Sequence, residues 1–235
     1  MTKFPGTIDE VDLNQFHVRG VGPLRRYNYK YADVVTEVVF RGIVKEAVRF
    51  ISKYDVIVGS VAWLTHPLIL QAMYDRKGVS MLVQKERWIR PDKRSTGSDR
   101  WKRRLRASYN KMPSTLQYKG MPSPLTNIQS KVRTIDAVRC VGMVPKKTDG
   151  RAPLIHSKFV VGCNFLRSGT LKPTAVWTGS ANFTANSERS IENAVILYHG
   201  GVAAAYMMEW AQLQALSEPL DWTHRLVTPQ FAFKD

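Results

Sequence analysis

The sequence predicts a single α/β domain in which a central, mixed and largely parallel sheet is flanked by helices on both faces. Three observations favour this fold class. The chain has 235 residues, 44% of them apolar and 23% charged, as is ordinary for a globular protein with a substantial core. Helical and extended hydrophobic patterns alternate along it. One helical pattern lies between two buried-strand patterns, which predicts a β-α-β unit with a right-handed crossover.

The first half of the chain is predicted to contain two helices and two strands. Asp33 can cap the first helix, Pro67 suits the first turn of the second, and Gly78 is expected to stop that second helix. The expected ranges are a helix over 34–51, a strand over 55–64, a helix over 65–74 and a strand over 79–84.

The second half is predicted to supply four more strands and a final helix. Their expected ranges are strands at 137–143, 154–161, 174–178 and 193–198 and a helix at about 202–216. Pro, Ser and Gly punctuate 95–130 and 145–153, which we interpret as long loops inserted into the domain. The expected organisation is an N-terminal extension over 1–32, a domain over 33–216 with a basic insertion over 85–133, and a C-terminal tail over 217–235.

The charge of the chain is its most unusual property. Lys and Arg total 35 against 19 Asp and Glu, so the formal net charge is +16. Such a balance points to a polyanionic partner, either nucleic acid or an anionic membrane surface. Residues 85–133 hold 14 of the basic residues and three acidic ones. A charge run of this kind is also typical of a face that is merely solvated.

Aromatic residues are interleaved with the basic ones in this segment, including Trp88, Trp101, Tyr109 and Tyr118. Basic groups alternating with flat rings suit the binding of phosphates together with stacked bases. The segment therefore predicts a polyanion-binding surface. The residues that we expect to contact the polyanion are Lys85, Arg100, Lys102, Arg103, Arg104 and Arg106.

The sequence carries no pattern for membrane insertion, export or metal binding. No apolar run approaches the roughly 18 to 20 residues needed to span a bilayer, and the first residues lack the layout of a secretory signal. No basic amphipathic helix with a clean apolar stripe is found either. Cys140 and Cys163 are too few for a disulfide framework or a structural zinc site. We therefore expect a cytoplasmic protein with two buried thiols, no cofactor, no metal and no stable membrane association.

Five residues in the last third of the chain could carry chemistry. His156 and Lys158 are two residues apart, and on a strand they would project from one face. A neutral imidazole can attack phosphorus, and a nearby ammonium can stabilise a phosphoryl transition state. Ser180 and Asn182, in a predicted turn, could donate hydrogen bonds to the same phosphate oxygens. Glu192 could hold the second ring nitrogen of a histidine.

The order of these residues resembles the phospholipase D superfamily, whose hallmark is His-x-Lys followed by a Gly-Ser/Thr-x-Asn turn. The tract GSANFT followed by SIENAV is most similar to the small single-motif nucleases of that superfamily. The resemblance extends over residues 34–216 and rests on residues of the last third, namely His156, Lys158, Gly179, Ser180, Asn182 and Glu192.

Two departures from the family pattern accompany this resemblance. The superfamily usually has an Asp five positions after the Lys, where this chain has Cys163. The family's Asp is mainly structural, so altered support of the loop is expected rather than lost chemistry. The stretch from Cys163 to Gly179 is also longer than in the compact family pattern, and we interpret its NFLRSGTLKP tract as a hairpin extension.

The resemblance implies hydrolysis of a phosphodiester without a metal, through a covalent phosphohistidine. In this superfamily one histidine attacks phosphorus and a second protonates the leaving oxygen. The only His-x-Lys in this chain is at His156, so the resemblance implies a homodimer in which each subunit contributes one copy. It further implies that Lys158 and Asn182 bind the phosphoryl oxygens, that Ser180 assists and that Glu192 orients His156. We expect the remaining histidines to be surface or packing residues, namely His17, His66, His199 and His224.

Three functions remain open from the sequence. The charge favours a nuclease, with DNA a better substrate candidate than RNA. A lipid phosphodiesterase of the phospholipase D type and a nucleic-acid-binding module with little turnover are the alternatives. No helix-turn-helix, zinc finger or RNP motif is present to read bases, so strandedness and sequence preference stay undetermined.

Overall fold

The structure is a computed structural model that describes residues 29–31, 35–89, 100–122, 125, 128–129, 133–144, 154–225 and 232–233. The elements in this part of the chain are, in order, β1 (Tyr29–Tyr31), β2 (Thr36–Val39), α1 (Ile43–Ile51), β3 (Val56–Val61), α2 (Pro67–Tyr74), β4 (Gly78–Gln84), α3 (Arg100–Asn110), β5 (Ile128–Gln129), β6 (Val138–Val141), β7 (Lys158–Phe165), β8 (Leu171–Gly179), β9 (Ala194–Leu197), α4 (Gly200–Ala215) and β10 (Ala232–Phe233).

Eight of these strands form one mixed sheet in the order β1-β2-β9-β8-β7-β3-β4-β6, and β5 pairs with β10 apart from it. The expected mixed α/β fold is therefore confirmed. Parallel pairing is confined to β3, β4 and β6, and the other neighbours are antiparallel, so the parallel share is smaller than expected. The reason is local, since β7 and β8 are joined by a tight turn at Gly169 (φ +79°), and such short connections join only antiparallel strands.

The predicted β-α-β unit is confirmed. Strands β3 and β4 are parallel and fully buried, and α2 connects them with Pro67 in its first turn. Helix α2 ends at Tyr74, as expected, but Gly78 begins the next strand instead of capping the helix. This unit places the end of β3 and the start of α2 beside the strand ends where the candidate site residues lie.

The helix expected over 34–51 is wrong in its first half. Residues 36–39 form β2, which pairs with β9 from Thr36 opposite Leu197 to Val39 opposite Ala194. The β-branched residues of this stretch suit a strand, and Gly42, with φ of +63°, separates it from α1. A helical spacing of valines therefore predicted one long helix where the chain makes a strand and a shorter helix.

Two separate cores cover the two faces of the sheet, as the predicted layering requires. On one face α1 and α2 pack against strand residues, with Phe50, Ile69 and Trp177 fully buried. On the other face α4 buries Met207 and Trp210, which confirms that these residues serve packing. Tyr206 is half-buried, and its ring lies 5.1 Å from that of Phe159.

The segment expected to be a long loop over 95–130 contains α3. Its buried residues Leu105 and Tyr109 are four apart and so lie on one side of the helix. The Tyr109 hydroxyl donates a hydrogen bond to the carbonyl of Leu64, which fixes α3 beside the connection between β3 and α2. The abundance of Arg and Lys, which are good helix formers, was the signal for this helix. Residues 95–99, 123–124, 126–127, 130 and 145–153 of the expected loops lie outside the described residues.

Residues 217–225 pack against the domain and are not a detached tail. Glu218 forms two backbone hydrogen bonds with Cys140 at the edge strand β6, at 2.8 and 3.0 Å, and Leu220 and Trp222 are buried. The expected domain boundary at 216 is therefore too early. Most of the expected N-terminal extension, residues 1–28, lies outside the described residues. Among the described helices, none combines the length and the apolar character that crossing a bilayer would require.

Candidate active site

The candidate site lies where β7 begins and β8 ends, next to the end of β3. His156 is exposed and precedes β7, which starts at Lys158. The strand that was expected to begin at residue 154 thus begins four residues later. Because His156 lies outside the strand, the alternation of side chains along a strand does not determine where its imidazole points. The two residues are connected differently: the Lys158 ammonium donates a hydrogen bond to the carbonyl oxygen of His156, with Nζ 2.8 Å from that oxygen.

Lys158 is held by strands on both sides. It pairs with Val61 of β3, and its carbonyl accepts a hydrogen bond of 3.1 Å from the Thr178 hydroxyl on β8. Partial burial lowers the pKa of the Lys158 ammonium below its ordinary value, and the charge of Glu192 opposes that shift. The ammonium is therefore a cation in a partly desolvated position, where it interacts more strongly with an anion than it would in water.

Ser180 and Glu192 are hydrogen-bonded to each other at the ends of β8 and β9. The Ser180 hydroxyl donates to the Glu192 carboxylate, and the backbone N–H of Asn193 donates to the Ser180 oxygen at 3.0 Å. The Ser180 N–H completes the connection by donating to the Asn193 carbonyl, also at 3.0 Å. The hydroxyl therefore engages the carboxylate that the family resemblance assigned to His156.

Gly179 permits this close approach of the two strands. A Cβ at this position would lie 2.1 Å from the carbonyl oxygen of Asn193 and 2.7 Å from the Cα of Ala194. Any other residue would push β8 away from β9. The glycine of the turn is thus required by the packing of the backbone.

The turn that carries Asn182 is bound to the end of β3. The Phe183 N–H donates to the carbonyl of Trp63, and the Phe183 carbonyl accepts from the N–H groups of Thr65 and His66 at 2.7 and 2.8 Å. The Ser187 hydroxyl donates to the Asn182 carbonyl. The side-chain Oδ1 of Asn182 is buried and has no hydrogen-bond partner in the described part of the chain. A buried amide oxygen of this kind is costly unless a ligand or another chain supplies a donor.

Two residues beside this turn were not identified from the sequence as site residues. Trp63 is 42% exposed, and its Nε1 donates to Glu86 at 3.3 Å. Burial raises the pKa of the Glu86 carboxyl. His66, expected to be a surface or packing residue, is buried with Nε2 3.6 Å from a Glu188 oxygen, and its Nδ1 has no partner among the described residues. The sequence signal for this neighbourhood was the strand predicted over 55–64, which contains Trp63 and ends two residues before His66.

The residues of α3 that were expected to bind the polyanion fall into two groups. Arg100, Arg103 and Arg104 are exposed on α3, and Lys102 is half-buried. Arg106 is held at the base of the helix, where it pairs with Asp221 and donates to the carbonyls of Ile89 and Leu220. The described helix thus presents most of its cations to solvent and uses Arg106 for packing.

Lys85 is not on the surface, so the expectation that it binds the polyanion is wrong. Its side chain is 0% exposed, and Nζ lies 2.5 Å from a carboxylate oxygen of Glu218. The same Nζ lies 4.8 Å from the centre of the Trp222 ring. A polyanion cannot reach an ammonium in this position, because it is enclosed by the chain beyond residue 216.

Both cysteines are free and buried, as expected. Burial raises the pKa of each thiol to about 12. Cys163 lies on β7 opposite Val56 and Pro173, beside an irregularity in the strand register. The position that the family usually gives to an Asp is therefore part of the apolar core on the α4 face. Within the described ranges, no three His, Cys, Asp or Glu side chains come together as a metal site would need.

Comparisons with known proteins give the following similarities. No family model matches the chain. The uncharacterized protein L381 of Acanthamoeba polyphaga mimivirus is 26% identical over 214 residues, which cover 83% of this chain and 71% of that protein.

Solved structures with a similar fold include NucT from Helicobacter pylori, with a TM-score of 0.48 and 11% identity, covering 77% of this chain and 96% of that one. Nuc from Salmonella typhimurium, a phospholipase D family member, has a TM-score of 0.43 and 15% identity, covering 78% and 95%. Phosphatidylserine synthase from Haemophilus influenzae Rd KW20 has a TM-score of 0.36 and 12% identity, covering 77% of this chain and 38% of that one.

Proposed function

We propose that this chain is a nuclease that hydrolyses nucleic-acid phosphodiester bonds through His156, without a metal ion. One observation carries the proposal: the partly buried Lys158 ammonium is hydrogen-bonded to the backbone of the exposed His156, with Nζ 2.8 Å from the His156 carbonyl oxygen. Ser180, Asn182 and Glu192 lie at the neighbouring strand ends. A nucleophile, a cation and hydrogen-bond donors are the groups that phosphoryl transfer requires.

The proposed reaction has two displacements at phosphorus. A neutral His156 nitrogen forms a bond to phosphorus, the bond to the leaving oxygen breaks, and a second histidine gives that oxygen a proton. Water then attacks the phosphohistidine while the second histidine takes a proton from it, and the phosphorus–nitrogen bond breaks. The products are an alcohol and a phosphate monoester, and the histidines return to their starting protonation states.

The second histidine in this proposal is His156 of a second copy of the chain. Of the three other described histidines, His66 is buried and His199 caps α4, with Nδ1 accepting from the Val202 N–H at 3.2 Å. His224 is exposed and has no lysine two residues after it. A two-fold axis near His156 would bring both imidazoles to one phosphate. The unpartnered Oδ1 of Asn182 supports this view, since it is a polar group that substrate or a second subunit could satisfy.

The substrate in this proposal is nucleic acid, with DNA favoured over RNA. The support is the net charge of +16 together with the exposed cations of α3. We assign the contacts with phosphates to Arg100, Lys102, Arg103 and Arg104, with Arg106 fixing the helix that presents them. Lys85 is left out because it is buried.

The test is cleavage in excess chelator. Plasmid, single-stranded DNA, RNA and phosphatidylcholine vesicles are each incubated with the protein and with His156→Ala, whose exposed side chain can be removed without opening the core. Cleavage of nucleic acid by the wild type alone supports the proposal. Strict dependence on added magnesium, or equal activity of His156→Ala, overturns it.

The same assay separates the alternative functions. Cleavage of phosphatidylcholine in preference to nucleic acid would assign a lipid phosphodiesterase, and binding without cleavage would assign a nucleic-acid-binding module. The dimer is tested by mixing the wild type with excess His156→Ala after unfolding and refolding together. Shared sites lose activity more steeply than the fraction of wild-type chains falls, whereas a monomeric, fully active protein contradicts the dimer.

A further inference from the structure

A groove of about 690 Å³ lies between α2 and α3, apart from the residues assigned to the chemistry. Its walls combine aromatic rings, cations and uncharged polar groups, and no Asp or Glu is among the described residues that line it. The lining residues that matter here are Thr65, Gln71, Tyr74, Trp101, Arg104 and Lys111. The Asp75 carboxylate at the end of α2 accepts a hydrogen bond from the Gln71 side chain at 2.9 Å.

The spacing of residues along α3 aims rings and cations into the groove together. Trp101, Arg104, Ser108 and Lys111 recur at intervals of three and four residues and therefore form one stripe. The hydrogen bond from Tyr109 to the Leu64 carbonyl keeps this stripe facing α2.

Two rings at the groove are free to accept a ligand on one face. Trp101 is 51% exposed and Tyr74 is 50% exposed, so about half of each side chain is accessible at the mouth of the groove. The Trp101 ring also packs against Trp88, with ring centres 5.5 Å apart and the ring planes tilted by 48°. Large exposed rings flanked by cations are the arrangement on which unpaired bases stack while their phosphates are neutralised.

The groove is connected to the candidate active site through the backbone. Thr65, at one end of the groove, donates its N–H to the Phe183 carbonyl at 2.7 Å. Phe183 directly follows Asn182, which belongs to the phosphate-binding turn. The lining of the groove therefore contacts the segment that carries this turn, so a strand lying in the groove would pass close to the turn.

We propose that this groove binds single-stranded nucleic acid and makes single strands the preferred substrate of the site at His156, a preference that rests on the proposed function. Bases stack on Tyr74 and Trp101, and phosphates contact Arg104 and Lys111. A duplex is disfavoured because its bases already stack on one another. The volume of about 690 Å³ falls in the range of about 300–1,000 Å³ that is typical of small-ligand pockets, which is room for a few nucleotides.

Binding is measured by fluorescence anisotropy with His156→Ala as the parent, so that no substrate is cleaved. The probe is a short fluorescent oligothymidylate, and the competitors are oligouridylate, a duplex and phosphatidylserine vesicles. We expect the oligothymidylate to bind more tightly than the duplex. Trp101→Ala and Tyr74→Ala should each weaken its binding about tenfold, whereas Trp101→Phe should retain most of the affinity because it keeps a flat ring.

The cations are tested through the salt dependence of the same binding. Each phosphate contact on a single strand contributes about 0.7 to the slope of log affinity against log salt, so Arg104→Gln and Lys111→Gln should each flatten the slope by about that amount. The matched controls are Phe165→Ala and Arg167→Gln, both exposed residues near the β7–β8 turn, at the opposite end of these strands from the site. These two variants should bind like the parent.

The proposal fails if Trp101→Ala and Tyr74→Ala bind like the parent, or if duplex and oligothymidylate bind equally well. It also fails if the vesicles compete better than oligouridylate, which would assign the groove to a membrane surface. Strong competition by oligouridylate supports it, since stacking does not distinguish the sugars. If the groove variants bind normally while the wild type cleaves in chelator, only the groove assignment is lost. If they weaken binding while the wild type does not cleave, only the nuclease assignment is lost.

Discussion

The Ser180 hydroxyl donates a hydrogen bond to the Glu192 carboxylate, and this contact joins the end of β8 to the residues that precede β9. It fixes a carboxylate beside Lys158, whose pKa it raises against the effect of burial. The negative charge and the hydroxyl therefore act on the proposed phosphate-binding cation together. The site is organised around Lys158 as much as around His156.

This relationship predicts different outcomes for two substitutions. Ser180→Ala removes the hydroxyl from both of its hydrogen bonds, each worth about 1 kcal/mol, so we expect kcat to fall about tenfold or more. Glu192→Gln keeps an acceptor for Ser180 but removes the charge, so the Lys158 pKa should fall further and the alkaline loss of activity should begin at a lower pH. Steady-state kinetics across pH measure both effects, with Ser168→Ala in the exposed β7–β8 turn as the control. An unchanged kcat in Ser180→Ala contradicts this account.

The pKa of Lys158 predicts the alkaline limit of activity. Because burial holds this pKa below its ordinary value of 10.5, the ammonium loses its proton at a lower pH than an exposed lysine does. Activity that needs the cation is full below the folded-state pKa and is lost as the pH rises through it. Lys158→Arg keeps a charge at every accessible pH, so the alkaline fall of kcat/KM should disappear even though the altered geometry lowers the rate.

The pH profile of stability provides a second measurement of the same group. A lysine whose pKa is lowered on folding binds fewer protons in the folded state than in the unfolded state, so its contribution to stability increases as the pH rises between the two pKa values. Urea denaturation of the wild type and of Lys158→Met should show that the free energy of unfolding rises more in the wild type as the pH rises between these two pKa values. Identical pH dependence in the two proteins would argue against the burial of the ammonium.

The glycine of the turn predicts a coupled loss of stability and activity. In Gly179→Ala the new Cβ would meet the Asn193 carbonyl at 2.1 Å, so β8 and β9 must separate and the contact between Ser180 and Glu192 must change. We expect a clear drop in the melting temperature and the loss of most of the activity. Gly200→Ala is the matched control, because the nearest atom to its Cβ is 3.8 Å away and the residue lies at the start of α4. A Gly179→Ala protein as stable and active as Gly200→Ala would contradict the close approach.

The parts of the fold that were predicted correctly depend on residues near one another in the chain. The β3-α2-β4 unit is predicted by two buried apolar runs and by a helix that Pro67 opens. These three segments follow one another directly in the sequence. The strand β2 was mistaken for helix because Val34, Val35, Val38 and Val39 fit a helical spacing as well as a strand. What decides between them is pairing with β9, more than 150 residues later, which no local pattern contains.

The site shows the same division. His-x-Lys and Gly-Ser-x-Asn were recognisable because each is short. No local pattern indicated that Glu192 would accept a hydrogen bond from Ser180, because the pairing of β8 with β9 brings the two side chains together. The buried oxygen of Asn182 depends on the end of β3, about 120 residues earlier. Charge counting placed Lys85 among the binding residues because its buried partner, Glu218, comes from the far end of the chain.

The pair formed by Lys85 and Glu218 predicts a large effect on stability. Both side chains are almost fully buried, and their N···O distance is 2.5 Å. Lys85→Met removes the ammonium that faces the buried Glu218 carboxylate, which should lower the free energy of unfolding by about 3–5 kcal/mol. Replacing both residues, as Lys85→Met with Glu218→Leu, removes the buried carboxylate as well and should recover much of that loss.

Urea denaturation of the two single variants and the double variant measures this coupling. The exposed pair of Lys77 and Asp55, 2.8 Å apart with Lys77 68% exposed, provides the matched control, since Lys77→Met should cost less than about 1 kcal/mol. If Lys85→Met is as mild as Lys77→Met, or if the double variant is less stable than Lys85→Met alone, the buried pair does not hold the chain beyond residue 216 against β4 and β6. A large single loss with recovery in the double variant would establish that this lysine stabilises the fold.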